Sequence, residues 1–383
     1  MDADLATGFS EAPLGYAPPP STAGQDRLDR LRLIRSRRVG PATFRRLMAE
    51  HGTAGAALAA LPDVARAAGT EDYAPCPEGV ARAEMKTAKA AGAQMLCLGD
   101  PDYPALLAET ESAPPVLWAI GDVALLSRPT VSLVGTRNAS SLGARMASRL
   151  AADLGKEGFV VVSGLARGID GLAHKAALAT GTISVEAGGL DLPYPTENAG
   201  LAADIARSGL RISEQPFGLA PQARHFPLRN RIVAGLSRGL VVIEAAARSG
   251  SLITARAALD LGREVMAVPG HPMDARASGC NMLIRDGAVL VRNADDVIEA
   301  LGPPAEIAQA DLPLDPPDAV PPAAVAGDLT DLILDRLGPS PTPEDQLIRD
   351  LAAPASRVAE ALAALELSGA VERRPGGMLA RAV

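Results

Sequence analysis

Aromatic residues are scarce in this 383-residue chain: five phenylalanines, four tyrosines and one tryptophan. Alanine, glycine and proline are abundant instead, a bias that suits a GC-rich coding sequence and says little about function. Cysteine is rarer still. Cys76, Cys97 and Cys280 lie far apart, form no metal-type spacing, and are odd in number, which implies a reducing, cytoplasmic setting. The four histidines are scattered and make no metal set. No run of about 18 apolar residues occurs, so no membrane span is expected. The start, Met-Asp-Ala-Asp, lacks the basic-then-apolar order of a secretory leader. Neither G-x-x-x-x-G-K-[ST] nor G-x-G-x-x-G is present, which argues against an ATPase phosphate loop and a dinucleotide site. No cofactor or metal is expected.

A hydrophobic content of 48% and a charged content of 21% are ordinary for a globular chain, and the length allows two or three domains. The formal net charge of −8 counts against a polyanionic partner, but the charge is uneven. Residues 26–50 and 130–240 are basic on balance, whereas 327–383 is acidic. Between 221 and 240 there are four arginines and no acidic residue. A phosphate-binding face needs such a local inversion, since each neutralised phosphate releases condensed counterion. Contact with a polyanion should therefore be local and salt-sensitive.

Residues 1–24 are rich in Pro, Ala, Gly and Ser and read as disordered. From 25 to 91 the pattern is helical. Leu28, Leu31 and Ile34 recur at helical spacing, Val39-Gly40-Pro41 breaks the run, and Phe44, Leu47 and Met48 begin another helix. This suits a helix-hairpin-helix or sterile-alpha-motif-like bundle. Its arginines are read either as DNA contacts or as the wet face of a small helical domain. The segment 93–301 alternates short β-branched runs with amphipathic stretches. Strands are expected at 95–98, 116–120, 130–134, 159–162, 182–185, 210–212, 240–243, 264–268 and 289–291. Helices are expected at 141–156, 171–179, 198–208, 229–237, 251–261, 280–286 and 294–301. That order predicts an α/β domain with a mostly parallel, doubly wound sheet. Residues 302–327 read as a Pro/Ala-rich linker. Three helical patterns (329–337, 343–351 and 356–368) and two short strands around Pro375-Gly376-Gly377 then suggest a winged-helix domain over 328–383. The net negative charge of its third helix makes protein contact as natural a role as DNA contact.

Open α/β sheets place ligands at the carboxyl ends of their strands, and three turns are expected there. Gly135-Thr136-Arg137 offers close backbone approach and a cation. Ser163-Gly164-Leu165-Ala166-Arg167-Gly168 leads into a helix carrying His174 and Lys175. Ser249-Gly250-Ser251, with Thr254, puts hydroxyls and amides at a helix start, which suits phosphate oxygens. The fourth element is the run His225-Phe226-Pro227-Leu228-Arg229-Asn230-Arg231. Its arginines fan apart at the start of a short helix, so one or two are expected on phosphate while another, Arg231, bridges to Glu214 or Glu244. Phe226 either stacks on an unpaired base or anchors its loop. Glu244 is read as a helix cap, an arginine partner, or a general acid or base. Tyr194 faces a base or packs, and Asp191 structures its loop. Glu186, a charge closing an apolar strand, has no account at this level.

These segments together resemble the DNA-processing protein A (DprA/Smf) family. The resemblance is dense from about 95 to 291. It rests on Gly99-Asp100-Pro101-Asp102-Tyr103-Pro104, Gly135-Thr136-Arg137, the Ser163–Asp170 run, Gly188-Gly189-Leu190-Asp191, Ser213-Glu214, the His225–Ser237 run, Ser249–Thr254, Val268-Pro269-Gly270 and Gly279-Cys280-Asn281. It implies an extended Rossmann-like domain flanked by a small helical domain and a winged-helix domain. It also implies a non-enzymatic mediator that binds single-stranded DNA with little sequence preference, protects it, and helps load the RecA recombinase during natural transformation. A homodimer through the Rossmann-like domain follows from the same likeness. The implied strand-binding pocket comprises Gly135, Thr136, Arg137, Ser163, Gly164, Arg167, Gly168, Phe226, Arg229, Asn230, Arg231, Ser249, Gly250 and Ser251, with Lys175 beside it. Some members carry a lysine or aromatic where this chain has Ala223 and Arg224, so a contact from that spot falls to Arg224. The competing reading is a nucleotide-processing enzyme like the phosphoribohydrolases, with Glu244 catalytic. Against it, residues 245–251 lack the Pro-Gly-Gly-x-Gly-Thr turn of those enzymes.

Overall fold

The computed structural model describes residues 24–304, except 68, and parts of 329–381. The expected disordered start and the Pro/Ala-rich linker lie almost wholly outside these residues. The described residues fall into two compact units, one on each side of that linker.

The first unit opens with four helices, α1 (Gly24–Arg35), α2 (Pro41–His51), α3 (Ala54–Ala67) and α4 (Glu78–Ala90). Then come β1 (Gln94–Cys97), α5 (Ala105–Ala108), β2 (Val116–Gly121), β3 (Thr130–Val134), α6 (Ser141–Lys156), β4 (Val160–Ser163) and α7 (Ile169–Ala177). The chain continues through β5 (Thr182–Val185), α8 (Ala199–Ser208), β6 (Leu210–Ser213), α9 (His225–Gly235), β7 (Gly239–Val242) and α10 (Gly250–Asp260). It closes with β8 (Glu264–Ala267), α11 (Ser278–Arg285), β9 (Val289–Leu290) and α12 (Ala294–Leu301).

Among the described residues these nine strands make one sheet, ordered β1-β2-β6-β5-β4-β3-β7-β8-β9. From β3 the chain winds outward through β4, β5 and β6, then returns to β7 on the other side of β3. That reversal opens a crevice at the carboxyl ends of β3 and β7. Pairing is parallel from β6 to β9, while β1–β2 and β2–β6 are antiparallel. The central strands are apolar on both faces because helices cover both. Leu133, Val161 and Val241 pack on one side with Leu150 and Leu154 of α6 and Ala173 of α7. Val134, Val162 and Val242 pack on the other with Ile232 of α9 and Ala255 of α10.

The helical segment has a core of its own around Phe44, Leu47 and Leu58, and it also docks on the sheet with most of its arginines out of open water. Leu28, Leu31 and Ala81 share one core with Met95, Cys97, Val116 and Trp118 of β1 and β2. Arg27 donates to Met95 O (2.7 Å) and to Asp100 Oδ2 (2.7 Å), and Arg30 to Leu98 O (2.9 Å). Arg35 pairs with Glu84 (2.8 Å) and reaches Glu214 O (3.1 Å), and Arg45 donates to Ala108 O and Thr110 O. Carbonyls at the sheet's border and in its loops offer acceptors that solvent would otherwise fill, so these arginines dock the helices. Arg37 and Arg38 stay exposed at the α1–α2 turn.

The second unit holds α13 (Leu329–Arg336), α14 (Glu344–Leu351) and a three-stranded sheet of β10 (Thr342–Pro343), β12 (Met378–Arg381) and β11 (Val371–Arg374), packed around Ile333, Leu347, Val358 and Leu379. The strand β10 carries no apolar run and was not foreseen. Much of the expected third helix, and the Pro375–Gly377 turn, lie outside the described residues.

Candidate nucleic-acid interface

A cleft of about 540 Å³ opens at the reversal point, between the ends of β3 and β4 and the starts of α9 and α10. Gly135, Arg137, Gly164, Phe226, Arg229, Asn230 and the Ser249–Ser251 turn all line it. Four segments far apart in sequence thus converge on one opening.

Its back wall is a rigid turn, residues 164–168. Leu165 and Gly168 have φ of 56° and 74°, and a Cβ on Gly168 would overlap the Thr136 carbonyl oxygen. The turn is held from beneath. Asp170 accepts from Gly164 N (3.1 Å), His174 Nε2 from Leu165 N (3.3 Å), and Asn198 donates to Leu165 O (2.9 Å) and Ala166 O (3.1 Å). His174 Nδ1 faces Thr182 Oγ1 (2.7 Å), whose own proton goes to Val161 O (2.8 Å), so the imidazole is neutral with its proton on Nδ1. Burial, with Arg229 nearby, pushes the His174 pKa down to about 3.

Arg229 is buried and donates from Nη1 to Gly164 O and to Val185 O (2.6 Å). Glycine at 164 leaves the room, since a Cβ there would overlap this guanidinium. Burial lowers the Arg229 pKa, which Asp170 and Glu186 oppose, and it raises that of Asp170 against the pull of Arg229. Arg229 Nε has no hydrogen-bond partner among the described residues. Arg137 is exposed, has no ion-pair partner among them, and lies over the Phe226 ring with its guanidinium carbon 5.4 Å from the centroid. Tyr194, half exposed, meets the same ring at 5.7 Å. The front wall is the start of α10, where Ser249 Oγ accepts from Ser251 N (3.4 Å) and contacts Ser251 Oγ (2.7 Å).

Not every expected residue reaches the cleft. Helix α9 begins at His225, four residues before the expected start, because Pro227 fits a first helical turn whose N–H groups lack partners anyway. Arg229, Asn230 and Arg231 therefore fan over its second turn. Arg231 points away from the opening to Glu214 and to Ser112 O. Ser163 is buried and donates to Leu133 O (2.6 Å), and the Gly164 amide is taken by Asp170. Thr136 is committed through its backbone, donating to Glu244 O (2.7 Å) and accepting from Ile169 N. Lys175 is exposed on α7 and does not line the cleft. Arg167 lines a small neighbouring recess and loosely pairs with Glu197 (3.6 Å). Arg224 is exposed beside His225 (3.3 Å).

Asp170 and Asn198, which lock the turn, were missed as site residues. Glu186 follows β5 directly and forms a buried pair with Arg211 (2.6 Å) that also ties down Leu190 O (2.8 Å). Asp191 accepts from Gly218 N (2.9 Å), a loop-structuring role. Glu244 accepts from Ser140 Oγ (2.7 Å) and N (3.2 Å), which fastens the start of α6, and it does not line this cleft.

Residues 94–302 match the family described as DNA recombination-mediator protein A. Residues 24–87 match the DprA-like N-terminal HHH domain, and 316–377 the DprA winged helix domain. The chain is 44% identical over 213 residues to the DNA processing protein DprA of Bacillus subtilis, covering 55% of this chain and 72% of that one. It is 38% identical over 284 residues to the Escherichia coli protein Smf, covering 72% and 74%. Among solved structures, DprA from Streptococcus pneumoniae aligns with a TM-score of 0.55 at 38% identity, over 63% of this chain and 86% of that one. The Helicobacter pylori DNA processing protein A, studied for its single-stranded DNA binding mode, aligns with a TM-score of 0.51 at 31% identity, over 55% and 95%.

Proposed function

The chain belongs to the DNA recombination-mediator protein A family, and from that footing we propose that it is a non-enzymatic, single-stranded-DNA-binding recombination mediator whose cleft at the sheet reversal holds the strand. The observation that carries this reading is the pair of guanidinium groups there. Arg229 is desolvated and short of acceptors, and Arg137 stands beside it with no carboxylate of its own. Two like charges in one cleft wall favour an anionic occupant, and a phosphodiester offers acceptor oxygens to the exposed Arg137 guanidinium. Phe226 and Tyr194 present ring surface on which an unpaired base can stack, worth roughly 1–3 kcal/mol per base. Backbone and ring contacts of this kind carry no base code, which fits weak sequence preference.

Replacing Arg137 by Ala should weaken binding of oligonucleotides of every sequence and lower the slope of log K against log salt by about 0.7–1. Arg137 is exposed, so the fold should be unaffected. An unchanged affinity and slope would overturn the pocket. The competing reading, a nucleotide hydrolase using Glu244, is disfavoured because that carboxylate is engaged with Ser140 outside the cleft. Release of free base from nucleotides, lost in Glu244→Gln, would reinstate it.

The same reading extends to partners and setting. The protein protects incoming strands in the cytoplasm, helps load RecA on them during DNA uptake, and pairs with a second copy through the Rossmann-like domain. Exposed Leu259 and Met282 line an adjoining groove on α10 and α11 that suits such pairing. A monomer by analytical sedimentation, or failure of the full chain to retain RecA, would remove the corresponding partner.

A further inference from the structure

The carboxyl edge of the sheet opens on both faces, and the second opening belongs to no part of the site proposed above. It is a cleft of about 580 Å³ between the start of α6 and the loop after β8. Leu142, Arg145, Met146 and Arg149 line it from α6, spaced as i, i+3, i+4 and i+7, hence on one helix face. Leu142 is 69% exposed, an unusual position for a large apolar side chain. Arg145 has no partner among the described residues. The Arg149 side chain is 79% exposed and meets only Asp153, at 3.6 Å, and a surface pair of that kind is worth little.

The acidic groups around the cleft are already engaged. Glu244 is tied to Ser140 and lies 3.6 Å from Arg276, which also binds Asp274 at 3.1 Å. Most of the remaining surface is apolar, with Arg145 unpaired among the described residues and Arg149 only loosely paired at its rim. An apolar floor beside two cations suits a chain of flat bases joined by phosphates.

The β3–α6 loop and the segment after β7 each contribute to both clefts. Gly135 and Arg137 line the first, and Ser140 and Leu142 the second. We propose that a single strand held in the first cleft crosses this loop at Arg137 and continues along α6. Its bases then lie against Leu142 and Met146, and two further phosphates lie on Arg145 and Arg149. Cβ atoms one turn apart on a helix stand about 5–6 Å from each other, close to the separation of successive phosphates on an extended strand. The inference rests on the strand-binding reading above and lengthens that site around the edge of the sheet.

The test compares fluorescent oligothymidylates of 6 and 20 nucleotides on the full chain, with Arg145→Ala/Arg149→Ala and Arg137→Ala measured in parallel. Losing two phosphate contacts should lower the salt slope for the 20-mer by about 1.4 and its affinity by roughly 25-fold at about 0.1 M salt, with the 6-mer unchanged. Arg137→Ala should weaken both lengths. An unchanged 20-mer affinity and slope in the double variant would overturn the second cleft while Arg137→Ala still reports on the first. Equal loss for both lengths would overturn it too, since the arginines would then act on the first cleft. Both residues are exposed, so an unaltered thermal midpoint is expected and separates loss of contact from loss of fold.

Discussion

At the scale of single residues, the proposed cleft depends on groups that lie beneath its lining. His174 is neutral because its ring nitrogens are matched to an amide donor and a hydroxyl acceptor in a buried setting. Its folded pKa of about 3 lies below the unfolded value of 6.5. Between those values the unfolded chain binds the extra proton, so its contribution is complete above about pH 6.5 and is lost as pH falls toward 3. Between pH 6.5 and 4.5 this amounts to about 2–3 kcal/mol. His174→Gln keeps an acceptor and a donor but cannot titrate. Its urea unfolding free energy should fall less over that window, and parallel curves for the two proteins would refute the assignment. The sequence alone makes His174 a hydrogen-bonded loop residue rather than a metal ligand; its ring contacts bear out the hydrogen bonding, but its tautomer was not legible there. A tautomer is fixed by partners that only the fold brings together.

At the scale of elements, the strands were legible and the helix starts less so. Runs such as Val160–Ser163 and Gly239–Val242 are short, apolar and bounded by glycine or helix signals, because a strand covered on both faces needs no polar alternation. Helix α9 hid its first turn behind Pro227, a residue that punctuates most sequences but is tolerated at that place. The converging turns were legible as glycine-rich segments, yet not the division of labour within them. Ser163 and the Gly164 amide serve the scaffold, while Arg137 and the α10 start face outward. The turn before α7 shows why a glycine is required: Gly168→Ala would place a Cβ at φ 74° against the Thr136 and Arg137 carbonyls. A loss of roughly 1–3 kcal/mol in chemical denaturation is expected. Weaker strand binding should accompany it, because the Arg137 loop has to move. A variant as stable as the parent would show that the turn yields easily.

At the scale of the whole molecule, charge is spent on assembly as much as on binding. Several of the arginines between 26 and 50 join the helical segment to the sheet, which composition alone could not distinguish from a wet face. Arg35 bonds Glu84, which also accepts from the only tryptophan, Trp118 Nε1 at 2.7 Å. Arg35→Ala leaves that buried carboxylate uncompensated. It should cost roughly 3 kcal/mol and shift tryptophan emission before global unfolding, and an unshifted spectrum with unchanged stability would contradict this docking. The border strand β1 has a consequence of its own. Three of its outward groups are satisfied within the chain: Met95 O by Arg27, and Cys97 N and O by Asp100. At the opposite margin β9 spans two residues only. Both margins are thus poor templates for a foreign strand, which disfavours the edge-to-edge zipping of one molecule onto another into fibrils.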